Sequence, residues 1–308
     1  MESQFRVETN GAPLISVVIP TYNRRPYVVE SLESVLHQSF RDFEVLVVDD
    51  GSTDGTEEAL RPYGDSIRYI RQENRGAAAA RNLGIRSCRG RCVAFMDSDD
   101  LATPQHLEKL YDFLALNPKV AMVIGNGAYL GGKSHHRTVV IPAKRARRME
   151  KRGVTLKDLF DGRVFRLQGC MARKAALEEI GLLDERFQVC HDLDMVLRLA
   201  QRYAIGFVNE VVFLYRKHGS HVSADDELRS RENLGALENL LARYPQALDL
   251  IGRRAFFRLV AHRYYRLAKA LAGKGDAQGA REAIRRALSL RPLSLKYRLC
   301  RLRTTVPG

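Results

Sequence analysis

Three aspartates within four residues are the most chemically distinctive feature of the sequence. Asp97, Asp99 and Asp100 directly follow the apolar stretch VAFM at residues 93–96. Neighbouring carboxylates repel one another, so they persist together where positive charge balances them or where water surrounds the loop. At neutral pH they are acceptors only, and oxygen ligands are what Mg²⁺ and Mn²⁺ prefer. The run therefore predicts a divalent-cation site, with a solvated acidic loop as the alternative.

The surrounding pattern predicts a mostly parallel α/β sheet with helices on both faces. Short apolar runs rich in β-branched residues alternate with stretches of helical periodicity. Strands are predicted at residues 14–20, 43–48, 67–71, 92–96 and 120–126, and helices at 25–39, 56–63, 76–88 and 107–116. This sheet must position the acidic run.

Polar clusters follow three of the predicted strands. PTYNR stands after the first, DDGSTD after the second and DSDD after the fourth. Ligands of such sheets bind beyond the carboxyl ends of the strands, so the three clusters together predict one site. The GxGxxG dinucleotide fingerprint is missing after the first strand, which argues against an NAD enzyme.

The positive charge is large and unevenly distributed. The net charge is +14, and residues 225–308 hold 18 Lys and Arg against 8 Asp and Glu. Residues 133–152 add eight basic residues and one acidic residue. These segments predict anionic partners such as phosphates, acidic lipid or nucleic acid, with solvated helix faces as the alternative.

Cysteines and hydropathy indicate a cytoplasmic protein. The five cysteines are an odd number without a CxxC pair, which favours buried thiols over a disulfide framework or a zinc site. The first 13 residues lack the apolar core of a signal peptide, and no apolar run reaches the roughly 20 residues of a membrane span.

Seven segments, in order, resemble the signature blocks of family-2 glycosyltransferases. They are PTYNR, VVDDGSTDGT, NRGAAAARNLGI, FMDSDD, IGLLDERF, HDLDMVLRLA and LYRKHGSHVS, within residues 13–223. The resemblance implies the GT-A fold, a nucleoside-diphosphate sugar donor with UDP favoured, and Mn²⁺ or Mg²⁺ as cofactor. It also implies transfer with inversion to a sugar, lipid-linked or phosphorylated acceptor, in the synthesis of cell-surface polysaccharide or glycolipid.

The resemblance also implies roles for individual residues. It places the donor nucleotide beside Pro20, Thr21, Tyr22, Asp50, Arg81, Asn82, Asp97 and Ser98. For Arg81 a solvent-facing helix residue is the alternative. Asp50 is expected to accept a hydrogen bond from the base, although an aspartate here could also be a turn or cap residue. Asp99 is the expected metal ligand, Asp100 the second candidate and His218 a third, for which a surface histidine is the alternative.

HDLDMVLRLA resembles the family's acidic-pair motif, and the resemblance makes Asp192 the expected general base. It precedes an apolar helical face, where the helix dipole and unpaired N–H groups stabilise a carboxylate. His191 stands where the family more often has glutamate, and a histidine there could shift the pH optimum. A simple helix cap is the alternative for Asp192, and Asp194 is the reserve candidate.

The resemblance divides the chain into a catalytic domain and a helical extension. The GT-A domain is expected at residues 1–224, with a nucleotide-sugar half at about 13–125 and an acceptor half at about 126–224. Processive members carry QxxRW and membrane helices, and this chain has no Trp, so a non-processive enzyme is predicted. The basic residues 133–152 fall where the family has a variable acceptor-side loop. Their charge suits a phosphorylated or lipid-diphosphate acceptor, with a disordered segment as the alternative.

The remaining residues, 225–308, predict helices throughout. Residues 266–292 resemble one tetratricopeptide-type hairpin turning at GKGD. Residues 293–303 interleave leucines with basic residues, which predicts either an anionic membrane surface, at the inner face of the membrane, or docking onto the catalytic domain.

Three other classes compete with a glycosyltransferase. A nucleic-acid-binding protein would explain the basic charge, but acidic clusters at strand ends repel phosphate unless a metal intervenes. A sugar-nucleotide-binding protein without catalysis would not need Asp192. A nucleotidyltransferase would need a basic glycine-rich loop near the first strand, and none is present there.

Overall fold

The computed structural model describes residues 11–130, 139–160, 165–217 and 225–305, with side chains as far as residue 301. These residues form two compact units. The first holds the described residues up to Gln188 together with Arg198–Lys217. The second holds Val189–Leu197 and the described residues from 225 onward.

One eight-stranded sheet organises the first unit. Its strands are β1 (Ile15–Thr21), β2 (Phe43–Asp49), β3 (Arg68–Arg71), β4 (Cys92–Phe95), β5 (Leu101–Ala102), β6 (Val120–Tyr129), β7 (Cys170–Arg173) and β8 (Ala204–Tyr215). They lie in the order β3-β2-β1-β4-β7-β6-β8-β5. The β1–β2, β2–β3, β1–β4 and β6–β8 pairs are parallel, while β7 is antiparallel to both its neighbours and β5 is antiparallel to β8.

The helices of this unit occupy the connections between strands. They are α1 (Arg25–Leu36), α2 (Thr56–Leu60), α3 (Ala77–Ser87), α4 (His106–Leu116), α5 (Ala143–Arg152), α6 (Leu156–Phe160) and α7 (Lys174–Glu179). A further helix, α8 (His191–Leu199), begins in the second unit and ends in the first.

The predicted mostly parallel sheet is confirmed, with specific differences. All five predicted strands and all four predicted helices form, but the helix predicted at residues 56–63 ends at Leu60 and continues as a 3-10 turn, Arg61–Tyr63. The antiparallel strands β5 and β7 are short, with two and four residues, so they carried little periodic signal.

The register of β1, β2 and β4 positions the polar clusters. Ile15 pairs with both Phe43 and Cys92, and Thr21 pairs with Asp49. Because the three strands are parallel and in step, the segments that follow them leave the sheet at one edge. The prediction that the three clusters share an edge is therefore confirmed.

Close packing of α3 on β1 fixes the helix that carries Arg81 and Asn82. A Cβ added at Gly84 would lie 2.5 Å from a methyl group of Val18, so only glycine permits this approach. Ile85 on the same helix is fully buried, and such burial contributes about 1.5–3 kcal/mol. The helix is thus packed against β1, the neighbour of the strand β4 that leads into the acidic run.

The second unit has its own apolar core. Its helices are α9 (Asp226–Arg243), α10 (Ala247–Ile251), α11 (Arg253–Gly273), α12 (Ala277–Leu290) and α13 (Leu295–Thr305). Buried residues of α9, α11, α12 and α13 meet in one cluster. The predicted helices and the hairpin turning at GKGD are confirmed, since α11 and α12 flank Lys274–Asp276 and Asp276 caps α12.

Two further predictions concern cysteines and membrane spans. Four of the five cysteines are buried as free thiols, as predicted, while Cys300 is partly exposed. Within the described part of the chain, no helix combines the length and hydropathy needed to cross a bilayer.

Candidate functional site

The three aspartates of the run converge after β4. One carboxylate oxygen from each of Asp97, Asp99 and Asp100 lies within 4.8 Å of the other two. Asp97 and Asp99 are partly exposed, whereas Asp100 is buried at 1% relative exposure. The cluster therefore has an accessible side and an anchored side.

Two arginines balance the accessible carboxylates. Arg81 on α3 donates to Asp97 at 2.5 Å, and its side chain is only 8% exposed. Arg24, directly before α1, lies 3.5 Å from Asp99. Arginine charge offsets the mutual repulsion of the carboxylates, so the loop is an organised charge cluster and not merely a solvated one.

Asp100 anchors the buried side of the loop. Its Oδ2 accepts a hydrogen bond from the Gln168 amide at 2.5 Å, and its Oδ1 accepts one from the Arg216 backbone N–H at 2.7 Å. Burial raises the pKa of the Asp100 carboxyl to about 8; neighbouring carboxylates add to the rise, and these two hydrogen bonds oppose it. Each oxygen accepts one hydrogen bond from the protein, which holds the carboxyl in place, and the expected part of Asp100 as second metal candidate stays a prediction.

Arg216 ties the acidic run to the end of β8. Its Nε donates to the Asp99 carbonyl at 3.0 Å, and its guanidinium also pairs with Glu30 at 2.5 Å. The same guanidinium lies 5.2 Å from the centre of the Tyr27 ring, a cation–π contact. The side chain of Arg216 therefore fixes the carbonyl of Asp99, and its backbone N–H fixes the carboxyl of Asp100.

Removing the Gln168 amide is expected to destabilise the first unit. Gln168→Leu keeps the side-chain size but leaves a buried carboxyl oxygen of Asp100 without its donor, so we expect the free energy of unfolding to fall by about 2–3 kcal/mol. Urea unfolding followed by circular dichroism measures the change. Gln201→Leu is the matched control, because the Gln201 amide is buried with no hydrogen-bond partner among the described residues. Equal stability losses in the two variants would contradict the assigned contact.

Asp50 holds the segment that leads into α3. Its carboxylate is 3% exposed and accepts from the Gln72 amide at 2.6 Å. It also accepts from the backbone N–H groups of Arg75 and Gly76, at 2.9 and 2.8 Å. The structure thus places Asp50 at the common edge and gives it a loop-ordering part; its expected contact with a base stays a prediction.

The last residues of β1 and the residues that follow it lie at the same edge. Pro20 and Thr21 are buried and Tyr22 is 46% exposed. The Thr21 hydroxyl is buried without a hydrogen-bond partner among the described residues. Asn23 then links this segment to the one after β2, since its side chain accepts from the Thr53 N–H at 2.8 Å.

Ser98 and Asn82 are buried near this edge, with different surroundings. Ser98 is 6% exposed between Asp97 and Asp99. Asn82 donates to the Leu183 carbonyl at 2.9 Å, accepts from the Leu183 N–H at 3.0 Å and donates to Glu185 at 2.9 Å. Its described contacts clamp the residues after α7, and its expected place beside the donor stays a prediction.

The predicted base belongs to the second unit. Asp192 is half-buried in the first turn of α8, and Asp194 of the same turn is 2% exposed. Within this unit, the Glu232 carboxylate accepts from the N–H groups of Val189 and Cys190 at 2.7 and 2.8 Å, which fixes the residues before the helix. His218 lies outside the described residues.

A sequence comparison decides the family. The model described as "Glycosyl transferase family 2" matches residues 16–181, more than half of the 308 residues. The chain belongs to glycosyl transferase family 2. The predicted enzyme class, a glycosyltransferase, is therefore confirmed.

A curated relative and two solved structures are similar to this transferase. "Uncharacterized glycosyltransferase RP339" of Rickettsia prowazekii is 32% identical over 228 residues, covering 72% of this chain and 70% of the relative. S. aureus TarS 1-349, in complex with UDP-GlcNAc, has a TM-score of 0.62 at 21% identity, covering 94% and 88% of the two chains. Mannosyltransferase PcManGT of Pyrobaculum calidifontis, in complex with GDP-Man and Mn²⁺, has a TM-score of 0.63 at 21% identity, covering 96% and 85%. The predicted GT-A fold is confirmed.

The acidic cluster of the transferase fits a divalent cation. Its three carboxylate oxygens are hard donors held within 4.8 Å of one another. Asp99 has an accessible carboxylate, while both oxygens of Asp100 are already hydrogen-bonded. The donor set thus suits a hard divalent cation such as Mg²⁺ or Mn²⁺.

A basic stripe lies on α5 of the transferase. Ala146 and Met149 bury one side of the helix, with both side chains at 0% exposure. The exposed side carries Lys144, Arg147, Arg148 and Lys151 at the i, i+3, i+4 and i+7 spacing of one helical face. Residues 133–138, the other part of the predicted basic loop, lie outside the described residues.

The sequence also contains a match to the GxxxxGK[ST] pattern of phosphate-binding loops, but its first glycine lies within a strand. GAYLGGKS at residues 127–134 matches GxxxxGK[ST]. Gly127 is nevertheless a strand residue: it is part of β6, pairs with Phe213, and its carbonyl accepts the N–H of Val140. The pattern therefore starts inside a strand instead of at its end, where a phosphate loop starts.

Sequence reasoning missed several residues of the transferase site. Arg24 and Arg216 lie within quoted family blocks, so their presence was visible but their partners were not. Gln168 lies in RLQGC, which carries no motif, and its contact with Asp100 joins residues 68 apart. No local signal could have identified it.

Proposed function

We propose that this transferase moves a single sugar from a nucleoside-diphosphate sugar to a hydroxyl acceptor, with inversion, using Mn²⁺ or Mg²⁺. The observation that carries the proposal is the convergence of Asp97, Asp99 and Asp100 at the edge where β1, β2 and β4 end. Pyrophosphate donors are commonly held through a divalent cation bound by one or two carboxylates. A cytoplasmic role in cell-surface polysaccharide or glycolipid synthesis is part of the proposal.

The donor is proposed to be a UDP-sugar. S. aureus TarS was solved with UDP and with UDP-GlcNAc, and PcManGT with GDP-Man and Mn²⁺. In this chain Asp50 would accept from the base, and Pro20, Thr21 and Tyr22 would flank it. The Thr21 hydroxyl has no hydrogen-bond partner in the part of the chain that the structure describes, which supports this, because a buried hydroxyl gains a hydrogen bond when a polar ligand reaches it.

The diphosphate of the donor sugar nucleotide is proposed to lie at the acidic run. Asp99 would ligate the cation, and Arg81, Asn82, Asp97 and Ser98 would line the donor. When bound, the cation acts as a Lewis acid on the diphosphate oxygens of the leaving group. The protein's own part is to hold Asp99 still: Arg216 bonds its carbonyl and Arg24 lies beside its carboxylate.

Asp192 is proposed to take the proton of the acceptor hydroxyl. A carboxylate in the first turn of a helix is stabilised in its charged form, in which it can act as a base. As the proton leaves, the hydroxyl oxygen bonds to the anomeric carbon and the nucleoside diphosphate departs with its bonding electrons. Single displacement with one base inverts the anomeric centre.

Turnover and product stereochemistry test the proposal. Purified protein is incubated with a panel of UDP-, GDP- and dTDP-sugars and simple acceptors, and release of nucleoside diphosphate is measured. NMR of the product reports the anomeric configuration, which we expect to be opposite to that of the donor. Metal-dependent nucleotide binding without turnover on any acceptor would favour a non-catalytic sugar-nucleotide-binding protein, and retained configuration would exclude single displacement.

The acceptor is proposed to carry phosphate or another anionic group. The basic stripe of α5 is exposed, and Glu150 is the one acidic residue within the helix. Lys144, Arg147 and Lys151 provide positive charge along one face, which attracts an anionic substrate over distances up to about 10 Å.

Neutralising the stripe is expected to weaken use of an anionic acceptor. For the triple variant Lys144→Gln, Arg147→Gln and Lys151→Gln, we expect kcat/KM to fall about tenfold with a phosphorylated acceptor and to stay unchanged with a neutral one. The difference should shrink at high salt.

The matched control neutralises three exposed basic residues elsewhere in the first unit, Arg41, Arg61 and Lys119. It should leave kcat/KM unchanged for both acceptors. Equal losses in the two triple variants would contradict a specific role of α5.

A further inference from the structure

The last described helix presents leucines to solvent. Leu293, Leu295 and Leu299 are 86%, 74% and 60% exposed. Leu293 lies in the turn before α13, and Leu295 and Leu299 are four residues apart on the helix, so they share one side of it. Three large apolar side chains this exposed within seven residues form a patch of the kind that marks an interaction surface.

The opposite side of α13 is fixed to the second unit. Tyr297 is 4% exposed and belongs to the apolar core. Its ring stacks on Tyr265 of α11, with centroids 5.2 Å apart, and Lys296 lies 4.5 Å from the centre of the Tyr265 ring. The helix is therefore anchored by one side, and the leucines point away from that core.

Positive charge surrounds the leucines. Glu282 is the last acidic residue of the sequence, and residues 283–308 contain seven arginines and lysines. Among the described residues, Arg291, Arg298 and Arg301 are exposed beside the leucines. The leucines thus belong to a surface that is apolar and basic without acidic residues in the same segment.

Exposed leucines together with basic residues favour one kind of anionic partner over another. Nucleic acid is bound through phosphate contacts and gains little from exposed leucines. An acidic bilayer surface satisfies both features, because leucines enter the headgroup boundary while basic side chains meet anionic lipid headgroups. A solvated helix face accounts for the arginines but not for three neighbouring leucines.

We propose that the surface formed by Leu293, Leu295, Leu299, Arg291, Arg298 and Arg301 binds the surface of an anionic lipid bilayer. The apolar contribution comes from the leucines, and each basic residue near the lipid strengthens binding about fivefold. This binding does not require the donor or the acidic run. It would hold the transferase on a membrane whatever sugar it moves.

Vesicle sedimentation tests the proposal on the full chain. The probe is phosphatidylcholine vesicles with and without phosphatidylglycerol, at physiological salt. We expect wild-type protein to sediment with the phosphatidylglycerol vesicles and only weakly with phosphatidylcholine alone. The triple variant Leu293→Ser, Leu295→Ser and Leu299→Ser keeps every charge. We expect its affinity for anionic vesicles to be lower than that of wild type by about tenfold or more.

Leu116→Ser is the matched control, because Leu116 is an exposed leucine of the first unit, at 82% exposure. It should bind vesicles as wild type does. Thermal unfolding and metal-dependent nucleotide binding are measured on each variant, so that a folding defect or a failure of the donor proposal is seen separately. Vesicle binding that is absent in wild type, or unchanged in the triple variant, would overturn the proposal.

Discussion

Replacing Asp99 with asparagine is expected to weaken Mn²⁺-dependent nucleotide binding about 100-fold or more, a loss of about 2.7 kcal/mol. Asparagine keeps the size of the side chain but removes the negative charge that would face the cation. Isothermal titration with UDP, GDP and dTDP, each with and without Mn²⁺, measures the loss and identifies the preferred nucleotide. Turnover should fall with binding.

Two control variants sharpen this experiment. Asp112→Asn removes one charge from an exposed position on α4 and should bind nucleotide as wild type does. Asp100→Asn changes the anchored carboxylate, which is hydrogen-bonded to Gln168 and Arg216, so its main effect should be on stability. Metal-dependent binding that survives in Asp99→Asn would remove this residue from the proposed cation site.

Replacing Asp192 with asparagine is expected to lower kcat by 10²–10⁴-fold, on the order of what a general base supplies, with nucleotide binding unchanged. The amide cannot accept the acceptor proton at neutral pH. Initial rates at saturating donor and acceptor give kcat, and the same titrations as above give nucleotide affinity. The two variants are therefore expected to differ in nucleotide binding: Asp99→Asn loses binding and, with it, turnover, whereas Asp192→Asn loses turnover alone.

Asp194→Asn provides the comparison within the same helical turn. Asp194 is 2% exposed and accepts a hydrogen bond from Asn239 at 3.5 Å, so its replacement should reduce stability more than turnover per folded molecule. If Asp194→Asn loses kcat and Asp192→Asn does not, the base assignment passes to the reserve candidate. If neither variant loses kcat, the proton is taken by another group.

Local patterns predicted the main elements of the sheet for a simple reason. Buried parallel strands need continuous β-branched and apolar residues, which runs such as ISVVIPT and FEVLVVD show directly. The acidic run was equally visible, because charges that repel one another stand out when they are consecutive. Short elements escaped: β5 has two residues, too few for any period to be recognised.

The sequence by itself determined the fold class, the family, and the placing of polar clusters after β1, β2 and β4. Only the tertiary structure decided which groups balance the acidic run: Arg81 on Asp97, Arg24 beside Asp99, and Gln168 and Arg216 on Asp100. The Arg216 contact joins residues 116 apart. Such pairs leave no periodic trace in the sequence, because they depend on strands and helices meeting in space, whereas strand patterns follow from the burial of each residue in turn.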